Sequence, residues 1–499
     1  MEIKIVIDGA EPQKEYVVVS EEPISFVDAM DEIGQIFYRP CGGIGKCMSC
    51  AVRFVYGAPE ITVNDERALE FAELRNGWRL GCKAIIAKDC KIQVPRALVG
   101  EITSPAGVFT DEQLPEDKTN IAMAVDLGTT TIATAVVDLK TGKILRQVNC
   151  TNSQTKFGAD VMTRIKASID GKSEELSSCV RADLRNIGTK IIGEDFLAHQ
   201  IVFAGNTTMT HLILKYPVDG MAKYPFVPYT LDGADFVTEH KNIFFMPSIS
   251  AFVGGDIVSG LYYIKKRKPA GKFLMVDLGT NAELVLFDGK TYYCSSASAG
   301  PALEGANISC GTASVKGAIN HLSISDGKCK YTTIGGEKPI GLCGSGIIDV
   351  IHELRRNGLI DDGGLLVDEY ADTGYPIADG VVITGEDIQQ VLLAKAAIRS
   401  GIQMLIKESG VDIGEIEHLY VAGGLGATVG VWAAAGIGIF PKELLSKFES
   451  VGNTSLLGGI AFIMDRDEAA LDEIKTNSKI VILATNPEFE EMFINNLRL

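Results

Sequence analysis

The stretch IAMAVDLGTTTIATAVVD, residues 121–138, is echoed by FLMVDLGTNAELVLFD at residues 273–288. Placing Asp126 on Asp277 gives an offset of 151 residues, with VDLGT identical in both copies. Each copy reads as a buried apolar strand, an acidic residue, a Gly-Thr turn and a second strand. Repetition of such a unit points to duplication of a folding unit. The backbone N–H groups and hydroxyls of the turns suit phosphate oxygens, and an Asp at a strand end suits a hydrated Mg²⁺. Two such hairpins facing across a cleft would clamp a triphosphate from both sides. One DLGT alone is an ordinary tight turn; the pair carries the reading.

Three further stretches extend it. LYVAGGLGATVG, from Leu419, reads as a strand, then Gly423-Gly424, then a helix, where a flat base or ribose can approach the backbone; a plain strand–helix turn is the alternative. VFAGNTTMTHL (202–212) is a candidate counterpart in the first half, with Asn206, Thr207 and Thr208 near the phosphates. In AFVGGDIVSG, Asp256 is a candidate for positioning an attacking water, and a helix-capping role is equally open. This layout resembles the superfamily of acetate and sugar kinases, Hsc70 and actin, over about residues 121–499. The resemblance implies two ribonuclease-H-like halves, 121–268 and 269–499, with ATP between them. It assigns Asp126, Gly128, Thr129 and Thr130 to the first phosphate motif, Asp277, Gly279, Thr280 and Asn281 to the second, and Gly423 and Gly424 to the adenosine motif.

The N-terminal region carries different chemistry. In YRPCGGIGKCMSC (38–50) the spacing is Cys41-x5-Cys47-x2-Cys50, and Cys82 follows after 31 intervening residues. Structural zinc usually needs two CxxC-like pairs, and a thioredoxin-type pair has no use for Cys41. A [2Fe–2S] cluster fits better: Gly42, Gly43 and Gly45 let backbone N–H groups turn toward the inorganic sulfur. Three ligands on one loop plus a remote fourth is the plant-type arrangement, with x5 in place of x4. Cys90, in the strand-like KIQVP context, is a rival fourth ligand. Ile3–Ile7 and Tyr16–Val19 read as a hairpin, Ser25–Ile33 as a short helix, Ala51–Tyr56 as a strand, and Asn64 as the cap of a helix ending at Gly77. Residues 1–97 resemble the [2Fe–2S] ferredoxin family, a β-grasp domain, in its adrenodoxin-like branch. Residues 98–120 mix Pro, Gly and charge and read as a linker. The expected fold is therefore α/β: a duplicated ribonuclease-H-like ATPase preceded by a β-grasp [2Fe–2S] ferredoxin domain.

Composition narrows the partners. The 499-residue chain has a net charge of −17, which argues against nucleic acid or an anionic membrane surface. The start MEIKIVIDGAEPQK lacks the apolar core of a signal peptide. LYVAGGLGATVGVWAAAGIGIF (419–440) is uncharged over 22 residues but carries six glycines and opens like a strand, so no membrane helix is expected there. A cytoplasmic location is the default expectation. Of the 11 cysteines, the seven beyond Cys82 are scattered and read as buried apolar side chains.

Several stretches together resemble the reductive activators of corrinoid proteins. They are FGADVMTRI (157–165), GNTTMTHL (205–212), AGPALEGANISCG (299–311), GLCGSGIIDVIHELRRNGLID (341–361), GIGIFP (436–441) and NPEFEEMFINNL (486–497). The resemblance implies ATP-driven one-electron transfer from the [2Fe–2S] cluster to a Co(II) corrinoid protein, giving Co(I). It also implies a low-potential donor, Mg²⁺ at the nucleotide and a homodimer. The loop 299–311 is a candidate partner-facing segment, with a structural turn as the alternative. Leu425 departs from the aromatic common after the paired glycines, and the short linker leads us to expect that the extra middle domain of longer members is reduced or absent. A small-molecule kinase with a regulatory iron–sulfur domain, a dehydratase activator and an actin-like assembly protein remain as rivals.

Overall fold

A computed structural model describes residues 1–7, 15–33, 36–37, 50–69, 71–95, 99–100, 114–115, 118–193, 195–238, 241–325, 327–426 and 428–499. The chain divides into two compact units: Met1–Ile102 with Thr151–Val180, and Thr103–Cys150 with Arg181–Leu499.

In the first unit, Glu2–Ile7 pairs antiparallel with Glu15–Val19 and parallel with Cys90–Val94. Ala51–Tyr56 joins Cys90–Val94 and Trp78–Leu80 to complete a five-stranded sheet. The alternating residues Ile3, Ile5, Val52, Phe54, Ile92 and Val94 bury one face of that sheet against Phe26 and Met30 of the helix Phe26–Glu32. That is the β-grasp arrangement. The expected cap at Asn64 is displaced: Thr62 caps the helix Val63–Ala68 in a reciprocal box with Asp65, which leaves Asn64 inside the helix. The helix stops at Leu69, in extended conformation, and a second helix runs Phe71–Arg75. Val99–Gly100 pairs with Ile36–Phe37, so a short strand lies within the stretch read as linker.

The other segment of this unit contains FGADVMTRI. Asp160 caps the helix Val161–Ala167. The fully buried Arg164 donates to the Gly158 carbonyl (2.9 Å) and to Gln154 Oε1 (3.3 Å), and Gln154 in turn donates to the Leu176 carbonyl (2.9 Å). A buried guanidinium has to be met by hydrogen-bond acceptors such as these carbonyls; burial lowers its pKa to about 9. The motif thus holds its own loop together.

The second unit contains two six-stranded sheets. The first runs Ile144–Thr151, Thr131–Asp138, Ile121–Leu127, Gln200–Gly205, Lys241–Phe245, Ala234–Thr238. The second runs Phe448–Gly452, His418–Ala422, Phe273–Leu278, Ala282–Phe287, Tyr292–Ala297, Ser478–Ile480. In both, a three-strand antiparallel meander is extended by parallel strands beside its first member. This is the duplicated ribonuclease-H-like architecture. The central strands are apolar on both faces, as strands covered on each side by helices must be. The helices Gly255–Arg267 and Thr454–Asp465 pack closely: a Cβ on Gly458 would lie 1.8 Å from the Ser259 carbonyl oxygen, and one on Gly260 2.8 Å from Thr454 Oγ1. The uncharged run 419–440 is a strand, His418–Ala422, followed by the short helices Gly423–Gly426 and Val431–Gly436. Among the described residues no helix is long and apolar enough to cross a membrane.

Candidate functional site

The two VDLGT copies end their strands alike and then diverge. In the first, Leu127 pairs with Ile132, so four residues, 128–131, make the turn, and Asp126 faces Ala133. In the second, Leu278 pairs with Ala282, so three residues, 279–281, make it, and Asp277 faces Glu283. A one-residue slip exchanges the faces of the following strand. Glu283 therefore stands beside Asp277, whereas the residue at the same offset in the first copy, Ile132, points the other way. Ser296 lies opposite Glu283 and donates to its Oε1 at 3.2 Å.

The parallel strands bring in the other turns. Asp126 pairs with Ala204, so the strand Gln200–Gly205 delivers Asn206 next to the first turn. Asn206 caps the helix Thr207–Leu214 through Met209 N (2.9 Å) and donates its amide to Thr129 Oγ1 (2.9 Å). Thr207 Oγ1 donates to the Ser250 carbonyl, and Gly254 backs onto Asn206 so tightly that a Cβ would sit 2.4 Å from its Cα. That contact fixes the start of the helix Gly255–Arg267, whose first turn carries Asp256. On the other side, Asp277 pairs with Ala422, placing Gly423 against it. Gly423 has φ +86°, and a Cβ there would meet the Leu278 carbonyl oxygen at 2.4 Å and Asp277 Oδ1 at 2.7 Å. Only glycine fits both demands. Gly424 has nothing within 4 Å of its Cβ position, an open face for a planar group. Leu425, placed where an aromatic was expected, packs its Cδ1 toward Gly344.

The acidic groups differ in their partners. Asp126 accepts from Asn453 Nδ2 and Ser455 Oγ, both at 2.7 Å. Burial raises its pKa and those two donors oppose the rise. Asp277 receives no hydrogen bond among the described residues; burial first, then repulsion from Asp256 and Asp126, pushes it up to about 8. Burial, reinforced by Asp126, brings Asp256 to about 7. Asp256 is an N-terminal-turn residue whose Oδ1 accepts from Ile257 N (2.8 Å), and it is not the cap, which is Gly254. Glu283 is held well above the usual carboxylate range by burial and by Asp256 and Asp277. Glu304, also raised by burial, accepts the Thr280 hydroxyl at 2.9 Å. Among the described residues no group of three or more His, Cys, Asp or Glu is close enough to hold a metal ion. A nucleotide's Mg²⁺ keeps several waters and takes one or two carboxylates plus phosphate oxygens, a demand that Asp277 fits.

In the first unit, Cys50 Sγ and Cys82 Sγ stand 3.2 Å apart, so a small separation of the two sulfurs would let them ligate a common ion with bonds of about 2.3 Å. Gly81 sets this approach: its N–H donates to the Cys50 carbonyl (2.8 Å), and a Cβ there would strike Phe37 and Phe26 at 2.7 and 2.9 Å. Cys90 is fully buried in the sheet core, where burial pushes its thiol up to about 11, a poor setting for a thiolate ligand. Cys41 and Cys47 lie outside the described residues.

The family model described as "C-terminal domain of RACo the ASKHA domain" matches residues 272–499, and "RACo middle region" matches 121–268. The corrinoid activation enzyme RamQ of Eubacterium limosum is 30% identical over 420 residues, 76% of this chain and 70% of that protein. This chain belongs to the RACo family of reductive activators of corrinoid proteins. The [Co(II) methylated amine-specific corrinoid protein] reductase of Methanosarcina barkeri is 24% identical over 75% of this chain and 76% of its own length. Among solved structures, a reductive activator for corrinoid, iron–sulfur protein aligns over 100% of this chain and 98% of its own with a TM-score of 0.67 and 25% identity.

Against that family fold, Asp126 comes close enough to raise Asp256, and both come close enough to raise Asp277, with Asn206 and Thr129 beside one turn and Gly423 beside the other. Four residues were missed: Glu283, Glu304, Asn453 and Ser455. Glu283 carries a faint signal, a lone acid in the otherwise apolar AELVLF. Ser455 and Asn453 carry none, because they meet Asp126 only across more than 300 residues of chain.

Proposed function

We propose that this chain uses ATP to drive one electron from a [2Fe–2S] cluster, held by Cys41, Cys47, Cys50 and Cys82, to the Co(II) of a corrinoid protein, giving Co(I). The observation that carries the reading is the union, in one chain of this family, of the Cys50–Cys82 pair with duplicated VDLGT hairpins. A plant-type cluster supplies a one-electron carrier near −400 mV. Co(I) corrinoids are stronger reductants, so the transfer is uphill, and each 100 mV for one electron amounts to about 2.3 kcal/mol. ATP shifts such a balance only by binding one conformation more tightly than another.

The chain's own groups divide this work. Thr129, Thr130 and the backbone of the first turn receive phosphate oxygens, with Asn206 orienting Thr129. Asp277 faces the Mg²⁺ of the nucleotide, and Asp256 orients the attacking water. Gly423 and Gly424 admit the adenosine. Cys50 and Cys82, whose sulfurs approach each other, would hold the cluster together with Cys41 and Cys47, and the cluster would supply a one-electron carrier. A low-potential donor, a homodimer and a cytoplasmic location complete the proposal; family resemblance supports the first two.

The test is spectroscopic. Reconstituted protein is mixed with a chemical reductant and a Co(II) corrinoid protein, with and without MgATP, while the cobalt bands are followed. Nucleotide should raise the Co(I) yield; equal yields without it would sink the coupling.

A further inference from the structure

We infer that Glu304 is a positioning residue for the nucleotide's cation, acting through Thr280; this rests on the reading that the cleft takes MgATP. A threonine hydroxyl has one hydrogen and two lone pairs. Thr280 commits its hydrogen to Glu304 Oε2 at 2.9 Å, so what it presents to the cleft is oxygen lone pairs. Such an oxygen suits a hydrated cation and repels a bare phosphate oxygen. The first turn has the opposite sense: there the Asn206 amide donates to Thr129 Oγ1. The carboxylates follow the same division. Both oxygens of Asp126 are taken by Asn453 and Ser455, while Asp277, Glu283 and Glu304 collect at the second turn, and Asp277 receives no donor among the described residues.

Glu304 is built to hold this position. It ends the short helical turn Pro301–Glu304, flanked by Gly300 at φ +73° and Gly305 at φ +88°. The turn is closed on itself: a Cβ on Gly311 would lie 2.0 Å from the Gly305 carbonyl oxygen, and one on Gly344 2.0 Å from that of Leu303. Ser309 ties the loop to the long helix Gly385–Ser409 by donating N–H and hydroxyl to the Asp387 carboxylate, both at 2.6 Å. Side chains locked by such surrounding bonds are what hold a binding geometry in place. The segment AGPALEGANISCG therefore has a face in the cleft.

The experiment measures binding of a fluorescent ATP analogue by wild type, Glu304→Gln, Glu304→Ala, Thr280→Val and the Glu304→Ala/Thr280→Val double variant, in EDTA and in Mg²⁺. In the wild type, Mg²⁺ should tighten binding. Glu304→Ala should lose about tenfold of that tightening, the scale of one hydrogen bond to a charged group, with affinity in EDTA unchanged. Glu304→Gln, which keeps an oxygen acceptor for Thr280, should retain most of it. Thr280→Val should match Glu304→Ala, and the double variant should lose no more than either, since residues acting as one unit are not additive. Equal losses for Gln and Ala, or losses that multiply in the double variant, would overturn the inference. A wild type that binds no nucleotide in either condition sinks the ATP reading and this inference with it.

Discussion

Ser455 donates its hydroxyl to Asp126 Oδ1 at 2.7 Å, joining the start of the helix Thr454–Asp465 to the strand end of the first phosphate turn. Together with Asn453 it links the two duplicated halves at the strand end that carries Asp126. Removing one donor leaves a buried carboxylate short of a partner. Ser455→Ala should lower stability by about 1–3 kcal/mol, read from the midpoint of denaturant unfolding followed by tryptophan fluorescence. A midpoint equal to wild type would mean that the bond contributes nothing.

The Cys50–Cys82 approach makes Cys82 the remote ligand. Cys82→Ser should abolish the two-iron EPR signal seen on reduction, whereas Cys90→Ser should leave it intact. The reverse pattern would transfer the fourth ligand to the sheet core.

Asp277 is the carboxylate of the duplicated pair that receives no hydrogen bond among the described residues. Asp277→Ala should cut ATP hydrolysis by about a hundredfold or more, the scale of losing one preorganised electrostatic contact. The visible spectrum of the cluster should not change, since the substitution lies in the other unit. An unaltered hydrolysis rate refutes the clamp.

The raised carboxyls give a pH dependence with a definite sign. Asp256 titrates at about 7 and Asp277 at about 8 in the fold, against about 4 in an unfolded chain. Between those values the native state holds protons that the unfolded state does not. Stability therefore falls as pH rises toward 8. Without nucleotide, the melting temperature should drop by a few degrees between pH 6 and pH 8, at about 2–4 °C for each kcal/mol. Asp277→Asn should flatten the slope. Differential scanning fluorimetry checks this, and identical slopes for both proteins would count against the assignment.

Gly423 combines a left-handed backbone with contact on Leu278 and Asp277. Gly423→Ala adds about 1–2 kcal/mol of backbone strain and a clash with the second turn. Nucleotide affinity should weaken by tenfold or more in the same fluorescence assay; Gly424→Ala, with open space at its Cβ, should cost far less.

The legible part of this protein was what is written in consecutive residues. VDLGT specified strand, acid and turn; the cysteine spacing specified a ligand loop; glycine pairs marked close backbone approaches. Of that ligand loop only Cys50 is among the described residues, with Cys82 beside it. What escaped depended on distance or on parity. Asn453 and Ser455 reach Asp126 from the far end of the chain, and no local pattern announces that meeting. The side occupied by Glu283 depends on a turn one residue shorter than its twin, which an alignment of identical letters conceals. At Asn64 the difficulty was competition: Thr62, Asn64 and Asp65 are all capping residue types, and the reciprocal box decided in favour of Thr62.

The extra residue in the first turn has a consequence for how a duplicated site reads its ligand. Two equal copies would form a palindrome, able to accept a triphosphate either way round. A single inserted residue breaks the palindrome, leaving Ala133 on one bank and Glu283 on the other. The duplicated site is thereby given a heads and a tails, one bank neutral and the other acidic.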